Sequence, residues 1–527
     1  MYKRILPGQQ KLDIPFNVEL NPESKWVKLS TIFPWESIDD EYIKHFKSNE
    51  GQIAKTSRLA FAALYIQACE GLTDEKTREH IQENPHMQYF CGFTKYNPQP
   101  AFDASMMVHF RKRIPAEMVM KITEEAFTAE ALKEIGTPAE LMTNPEEETS
   151  DEETPGEETN ANETAEQEKP ANQETTEKEA EENNTTGTIN EFPKKGTLIL
   201  DATCCPQDIR YPTDIGLLNH ARELLELIID ILYALVIEQY AYKPRTYRDV
   251  ARRDFLAYIK TRKHTKKTIR KNIRKQLQYV ARDLRIIHEL VEKGAALREL
   301  PADLYKKLLV IHEVYRQQQE MYDTKKNRCD GRIVSIAQPH IRPIVRGKEH
   351  APTEFGAKIA IGLVGGYVFI TDISWENTAE ATLLKEAAEQ YKRMFGFYPE
   401  VIIGDRVYGN RVNRSWCKAR GIRLSGPKLG RKNDEIKLEE ARQIYKDGCE
   451  RNAVEGKFGE TKRKYNLELI MPKLPNTSKT MIAMGFFVAN MERKLRLLFA
   501  SEGHSFVYYD FDQLTLVVIV SPVVQAA

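Results

Sequence analysis

The chain has 527 residues, and its 77 basic and 77 acidic side chains give a formal charge of zero; this length exceeds one ordinary domain and can bury a large core. Its seven cysteines are odd in number and show no CxxC spacing, which argues against a disulfide framework or structural zinc site and fits a reducing compartment. MYKRILPGQQ lacks the apolar core of a signal peptide and no run approaches the roughly 18 residues of a membrane span, so a soluble, cytoplasmic chain with no membrane partner is expected.

In chain order, Arg58 to Glu70 (RLAFAALYIQACE) reads as a buried helix closed by Gly71. Shorter helices are expected at Thr73 to Gln82, at His86 to Phe90 and near Ser105 to Arg113, the last ending in Arg111, Lys112 and Arg113. Such a cluster with a basic edge fits a helix-turn-helix module and equally a small bundle used for packing or dimerisation. From Asn144 to Asn190 almost nothing is apolar, and Glu146 to Glu182 holds 16 acidic residues against Lys169 and Lys178. That composition predicts a disordered linker. The zero total therefore hides a basic body, whose excess cations point to a nucleic-acid partner.

At Gly196 the composition changes to TLILDATCCPQDIRYPTDIG, where Leu198 to Leu200 predicts a short buried strand ending at Asp201. Helical stretches follow at about Gly216 to Tyr240, Tyr247 to Lys293 and Leu300 to Lys326. Between Lys243 and Arg285 lie 16 Lys or Arg against Asp249, Asp254 and Asp283, a density of one sign that favours phosphate contact. Lys263, Lys266, Lys267, Arg270 and Lys271 are its candidate DNA contacts.

Glu354 to Val364 and Tyr367 to Trp375 are two apolar runs joined by Gly365-Gly366, a hairpin signal because glycine supplies the positive φ angles of the turn. A helix from about Asn377 to Phe395, a strand at Val401 to Ile403 delivering Asp405, a short helix to Arg420 and a strand at Ile422 to Ser425 come next. A long helix then carries GCERNAVEGKFGETKRKY, from Gly448 to Tyr465. The apolar stretch Met481 to Ala500 is a further helix packed on the sheet, and Leu514 to Val520 is a candidate added strand. This order predicts a mixed α/β fold.

On the helix after Asp405, Arg451, Glu455 and Lys462 fall within about 40° of one another, a stripe about 16 Å long that suits an extended polyanion. Asp201, Asp405 and Glu455 can converge if both strands are central and the helix crosses their C-terminal ends. Three carboxylates in one place need positive charge, and two Mg²⁺ ions are the usual partners for in-line phosphoryl displacement. Asp208 and Asp214 rival Asp201 as ligands.

These residues resemble a known family. DATCCPQDIRYPTDIGLLNHARE, GRIVSIAQPHIRPIVRGK with EFGAKIAIGLVGGYVFI, VIIGDRVYGNRVNRSWCKARGIRLSGPKLGR and RNAVEGKFGETK are similar to bacterial insertion-sequence transposases of the DDE class, and residues 58–93 to the helical N-terminal module of those elements. The resemblance implies a ribonuclease-H-like mixed sheet with a long helical insertion after the first strand, preceded by a small all-helical N-terminal domain. Composition and resemblance together give expected domains at 1–135 (helical, open to a DNA-binding role) and 196–500 (catalytic, with the basic insertion at about 215–327) and a tail at 501–527, while the acidic disordered linker expected at 136–195 rests on composition alone and is not a feature of the family's core.

The resemblance further implies that Asp201, Asp405 and Glu455 are catalytic and bind two Mg²⁺ ions, with Mn²⁺ as a substitute, and that Arg451 and Lys462 contact DNA. The family's Y-x2-R-x3-E-x6-K signature places a tyrosine at 448, where this chain has Gly448. The expected function is a transposase that binds the terminal inverted repeats of its element, hydrolyses a phosphodiester and joins the freed 3′-hydroxyl to target DNA, as a homodimer on double-stranded DNA, associated with the bacterial nucleoid when bound. The alternatives are a catalytically silent DNA-binding relic and a ribonuclease-H-like nuclease without strand transfer.

Overall fold

The computed structural model describes residues 20–46, 53–135, 194–345, 353–427 and 437–501, and the backbone of two strands at 506–510 and 515–519. The acidic segment expected as a linker lies outside the described residues up to position 193. Among the described residues seven helices come first: α1 (Lys25–Ile32), α2 (Trp35–Ile43), α3 (Ser57–Glu70), α4 (Asp74–Glu83), α5 (Pro85–Phe90), α6 (Met106–Arg113) and α7 (Ala116–Ile135). Local chemistry sets their ends. Thr56, Thr73 and Asn84 accept N-capping hydrogen bonds, and Gly71 closes α3 at φ +63°.

The central sheet contains β1 (Thr197–Pro206), β2 (Arg342–Val345), β3 (Thr353–Val364), β4 (Tyr367–Ser374), β5 (Val401–Gly404) and β6 (Arg423–Leu424). Its order is β2-β3-β1-β5-β6, with β4 also paired to β3. β3 is antiparallel to β1, β2 and β4, whereas β1/β5 and β5/β6 are parallel. The chain is thus mixed α/β. Gly365 and Gly366, at φ +54° and +78°, make the β3–β4 turn as their sequence predicts.

Between β1 and β2 the chain leaves the sheet for α8 (Asp214–Leu235), α9 (Arg248–Lys260), α10 (Lys266–Glu292) and α11 (Ala302–Thr324). Leu218, Leu225, Ile229, Val280, Ile287 and Ile311 are among the residues of a second core, which Ile333 and Ile336 after α11 also join. The stretch expected as one helix from Tyr247 to Lys293 is two, because Thr265 caps a new helix by accepting from the Thr268 amide.

After the hairpin come α12 (Leu384–Phe395), α13 (Arg411–Ala419), α14 (Lys437–Lys464) and α15 (Pro475–Ser501). From Ile482 to Met491 α15 is buried on nearly every side, and it packs on α3, α6, α7 and β4. Phe487 meets Phe61 at 5.3 Å, Phe33 and Phe127 at 5.6 Å and Tyr65 at 6.3 Å between ring centroids. The N-terminal helices therefore share one core with the sheet.

The basic edge expected at the end of α6 is largely absent. Arg111 is buried, pairing with Asp74 at 2.6 and 2.8 Å and with Gln67 at 2.9 Å, and Arg113 lies over the Phe46 ring. Only Lys112 of the three is exposed. The strand expected at Leu514 to Val520 forms as β8 (Thr515–Ile519), but it pairs with β7 (Phe506–Asp510) in a separate hairpin.

Candidate active site

The strand expected to end at Asp201 runs on to Pro206. Its antiparallel partner β3 continues alongside, from Asp201↔Ile361 to Pro206↔Gly356, whereas its parallel partner β5 stops at Gly404. Asp201 is therefore mid-strand on one edge and at the end of the ladder on the other. The last pair of the β1/β5 register is Leu200↔Gly404, so the next residues, Asp201 and Asp405, lie side by side on strands about 4.8 Å apart.

The two rivals of Asp201 are elsewhere. Asp214 accepts from Arg332 at 2.6 Å and from Gln318 at 2.9 Å, within the helical insertion. Asp208 is exposed and lies beyond the end of β1, where its backbone amide donates to the Ile470 carbonyl at 3.0 Å.

α14 packs on β1 and β5, burying Val454, Phe458, Thr461 and Tyr465. Those positions repeat at four, three and four residues, a helical stripe that fixes the rotation of the helix. Glu455 and Arg451 flank the stripe beside the strand ends. Arg451 donates to Glu455 at 2.7 Å and approaches Asp405 at 4.0 Å. Asp405, Arg451 and Glu455 thus meet, with the guanidinium between two carboxylates whose side chains are about half exposed, at 51% and 53%.

Among the described residues no group of three His, Cys, Asp or Glu side chains is disposed to hold a metal ion. The donor set nevertheless suits a hard divalent cation: oxygen ligands only, two of them solvent-accessible, with the Arg451 guanidinium already between Asp405 and Glu455.

The turn after Asp405 (Arg406–Tyr408) carries no periodic signal in the sequence, and it holds the site together. The Asp405 carboxylate accepts from the Arg406 amide at 2.6 Å. The Tyr408 ring lies so close to Gly404 that a Cβ there would meet it at 2.8 Å. Tyr408 is 2% exposed, and burial, then the neighbouring carboxylates of Glu380, Asp201 and Asp405, push its phenol well above the usual tyrosine range. The phenol therefore stays protonated at neutral pH. The tyrosine and asparagines of DRVYGN-RVN are its one sequence mark, since Asn410 caps α13 and Asn413 is 3% exposed.

Lys462 lies one helical stretch beyond Glu455 and is partly exposed. At Gly448 a Cβ would meet nothing within 4 Å, so the helix surface is open where the signature has tyrosine. In the insertion, Lys263, Lys266, Lys267 and Lys271 are exposed and form no ion pair among the described residues. Arg270 differs: it donates to the Tyr322 carbonyl at 2.9 Å and lies 4.0 Å from the Tyr322 ring centroid, so it braces α10 against α11. Among the described residues no helix is long and apolar enough to cross a membrane.

Comparison with known proteins gives two family matches. Residues 402–492, which carry Asp405, Arg451, Glu455 and Lys462, match the family described as a transposase DDE domain. Residues 16–113 match the family described as a transposase domain (DUF772). A protein of Rhizobium meliloti described as "Uncharacterized protein ORF8 in nfe locus" is 33% identical over 110 residues, 20% of this chain and 53% of that protein. The match thus spans about half of that relative's length. No solved structure matches the chain. The resemblance to insertion-sequence DDE transposases is shown over two separate segments.

Proposed function

We propose that this chain is a DNA transposase with a ribonuclease-H-like catalytic domain, and that Asp201, Asp405 and Glu455 are its catalytic carboxylates. The observation that carries the reading is the β1/β5 register, which sets Asp201 beside Asp405 under the helix that presents Glu455. The register supports the convergence of acids 204 positions apart that the order of elements allows.

In this reading Asp201, Asp405 and Glu455 would hold two Mg²⁺ ions, with Mn²⁺ as a substitute, and the bound ions would supply Lewis acidity for phosphodiester displacement. The chain's own residues do the rest. Arg451 exchanges Glu455 for a DNA phosphate when the carboxylate is engaged, and Lys462 holds a second phosphate further along α14. Lys263, Lys266, Lys267 and Lys271 carry the flanking duplex of the terminal inverted repeats, with Arg270 stiffening their helix. Water first displaces a 3′-oxygen at the transposon end, and the freed 3′-hydroxyl then attacks a target phosphodiester and displaces another 3′-oxygen. Because two ends must meet, the active species is a homodimer, acting on cytoplasmic, nucleoid-associated DNA.

The test is cleavage and joining of a labelled duplex carrying the element's inverted-repeat ends, with Mg²⁺ or chelator. Wild type should give metal-dependent nicks and joined product, and Asp201→Asn, Asp405→Asn and Glu455→Gln should each lose at least about 10³-fold in rate while binding the ends within a few-fold of wild type. Nicking without joining identifies a nuclease; tight end binding without either identifies a silent relic. Wild-type rates in any of the three variants remove that residue from the assignment.

A further inference from the structure

We propose that Asn413 is a positioning residue for Asp405: its amide ties the turn carrying Asp405 to a neighbouring turn anchored on the sheet, and so sets the distance between the Asp405 and Asp201 carboxylates. The inference rests on the reading of both as ligands of a divalent cation. β5 ends at Gly404, so Asp405 lies beyond the last ladder bond and the sheet alone does not fix it. The chain continues from Asp405 into a single tight turn, Arg406–Tyr408. Such a turn has few bonds of its own.

Asn413 supplies the restraint from α13. Both hydrogens of its amide are used: one on the Tyr408 carbonyl at 3.0 Å and one on the Ala381 carbonyl at 2.8 Å. Its backbone amide is held in turn by Asn410 at 2.8 Å. The Ala381 carbonyl belongs to the turn Glu380–Leu383, which Lys358 anchors by donating to the Thr378 carbonyl at 2.8 Å and pairing with Glu380 at 3.0 Å.

Lys358 lies on β3, opposite Cys204 of β1, in the same ladder that seats Asp201 opposite Ile361. Asn413 therefore closes a mechanical circuit that starts at Asp405, crosses two turns and Lys358, and returns to the strand bearing Asp201. Removing its amide opens that circuit at the side-chain link between the turns, and leaves Gly404 and the ladder untouched. Second-sphere groups of this kind alter metal affinity by about 10- to 100-fold when removed.

The experiment measures Mn²⁺ binding to the full-length chain without DNA, from the electron paramagnetic resonance signal of free Mn²⁺, for wild type, Asn413→Ala and Asp405→Ala. Melting temperature and affinity for an inverted-repeat duplex are measured in parallel. Asn413→Ala should bind Mn²⁺ about tenfold more weakly than wild type or worse, bind the duplex as wild type does, and regain cleavage at saturating Mn²⁺, which a general loss of folding would not allow. Asn413→Ser, which keeps one donor, should fall between the two, and it carries the test if the alanine variant does not fold. Wild-type Mn²⁺ affinity in a folded Asn413 variant overturns the inference. Identical binding by wild type and Asp405→Ala overturns the ligand reading itself, and the positioning role with it.

Discussion

Arg451 is the residue on which the site turns. It bonds Glu455 and faces Asp405, so one guanidinium neutralises two acids that would otherwise repel across the strand ends. In the proposed reading the same side chain would meet a DNA phosphate once a cation takes its place between the two acids. Gly448, one turn earlier on an exposed face with open space above it, is a weak point of α14. Gly448→Tyr should stabilise the chain by about 0.5 kcal/mol through helix propensity alone, readable as a small rise in melting temperature. It should also raise the cleavage rate if the tyrosine reaches DNA. A lower melting temperature would mean that the open space is filled in the folded chain.

At the scale of elements, α10 divides its labour between faces. Leu277, Val280, Ile287 and Leu290 face the insertion's core, whereas Lys263, Lys266, Lys267 and Lys271 on and before its first turns are exposed. Replacing these four with Ala should flatten the dependence of log K on log salt for duplex binding by about 3 to 4 units, measured by fluorescence anisotropy across a salt series; an unchanged slope would place the DNA elsewhere. The core face holds a titratable acid. Asp283 is fully buried, and burial pushes its carboxyl up to about 7, against the pull of Arg282 and Arg222 and with Glu226 adding to the rise.

A raised folded-state pKa means that folding takes up a proton between the unfolded value, about 3.9, and about 7. Asp283 therefore favours the fold fully below the lower value and loses that contribution as pH rises through the upper one. Asp283→Asn should gain melting temperature relative to wild type as pH rises from about 4 to about 8, and a difference independent of pH would show that the acid is paired and ionised throughout.

At the scale of the whole molecule, two cores share the work. One joins the N-terminal helices, α15 and the sheet; the other belongs to the insertion. Phe487 is the hub of the first, in contact with rings from α3, α7 and the loop after α1. Phe487→Ala should cost about 3 to 5 kcal/mol and lower one calorimetric transition that includes both the N-terminal helices and the sheet. If the N-terminal helices melted at an unchanged temperature they would be an independent domain, which the shared burial argues against.

Much of this is legible in the residues. The Gly365-Gly366 hairpin, the strand before Asp405, the basic insertion and the helix bearing Arg451, Glu455 and Lys462 are local, because turn chemistry, alternation and helical period act over a few residues. What escapes is non-local. The length of β1 depends on how far β3 accompanies it, and the inward turn of Arg111 depends on Asp74 and Gln67 from other helices. Arg270 points to Tyr322 of a different helix, so counting charges along α10 overstates its exposed basic face.

The sequence by itself determined the inventory: the acids at strand ends, the basic stripe, the order of elements and the separation of a helical insertion from a mixed sheet. Only the tertiary structure decided which acid neighbours which. That Asp201, and not Asp208 or Asp214, lies beside Asp405 comes from the parallel register of β1 and β5, and register is set by pairing between segments some two hundred residues apart. Only it, too, revealed the buried Asn413 bridge, because a hydrogen bond between two turns leaves no periodic mark on the chain that makes it.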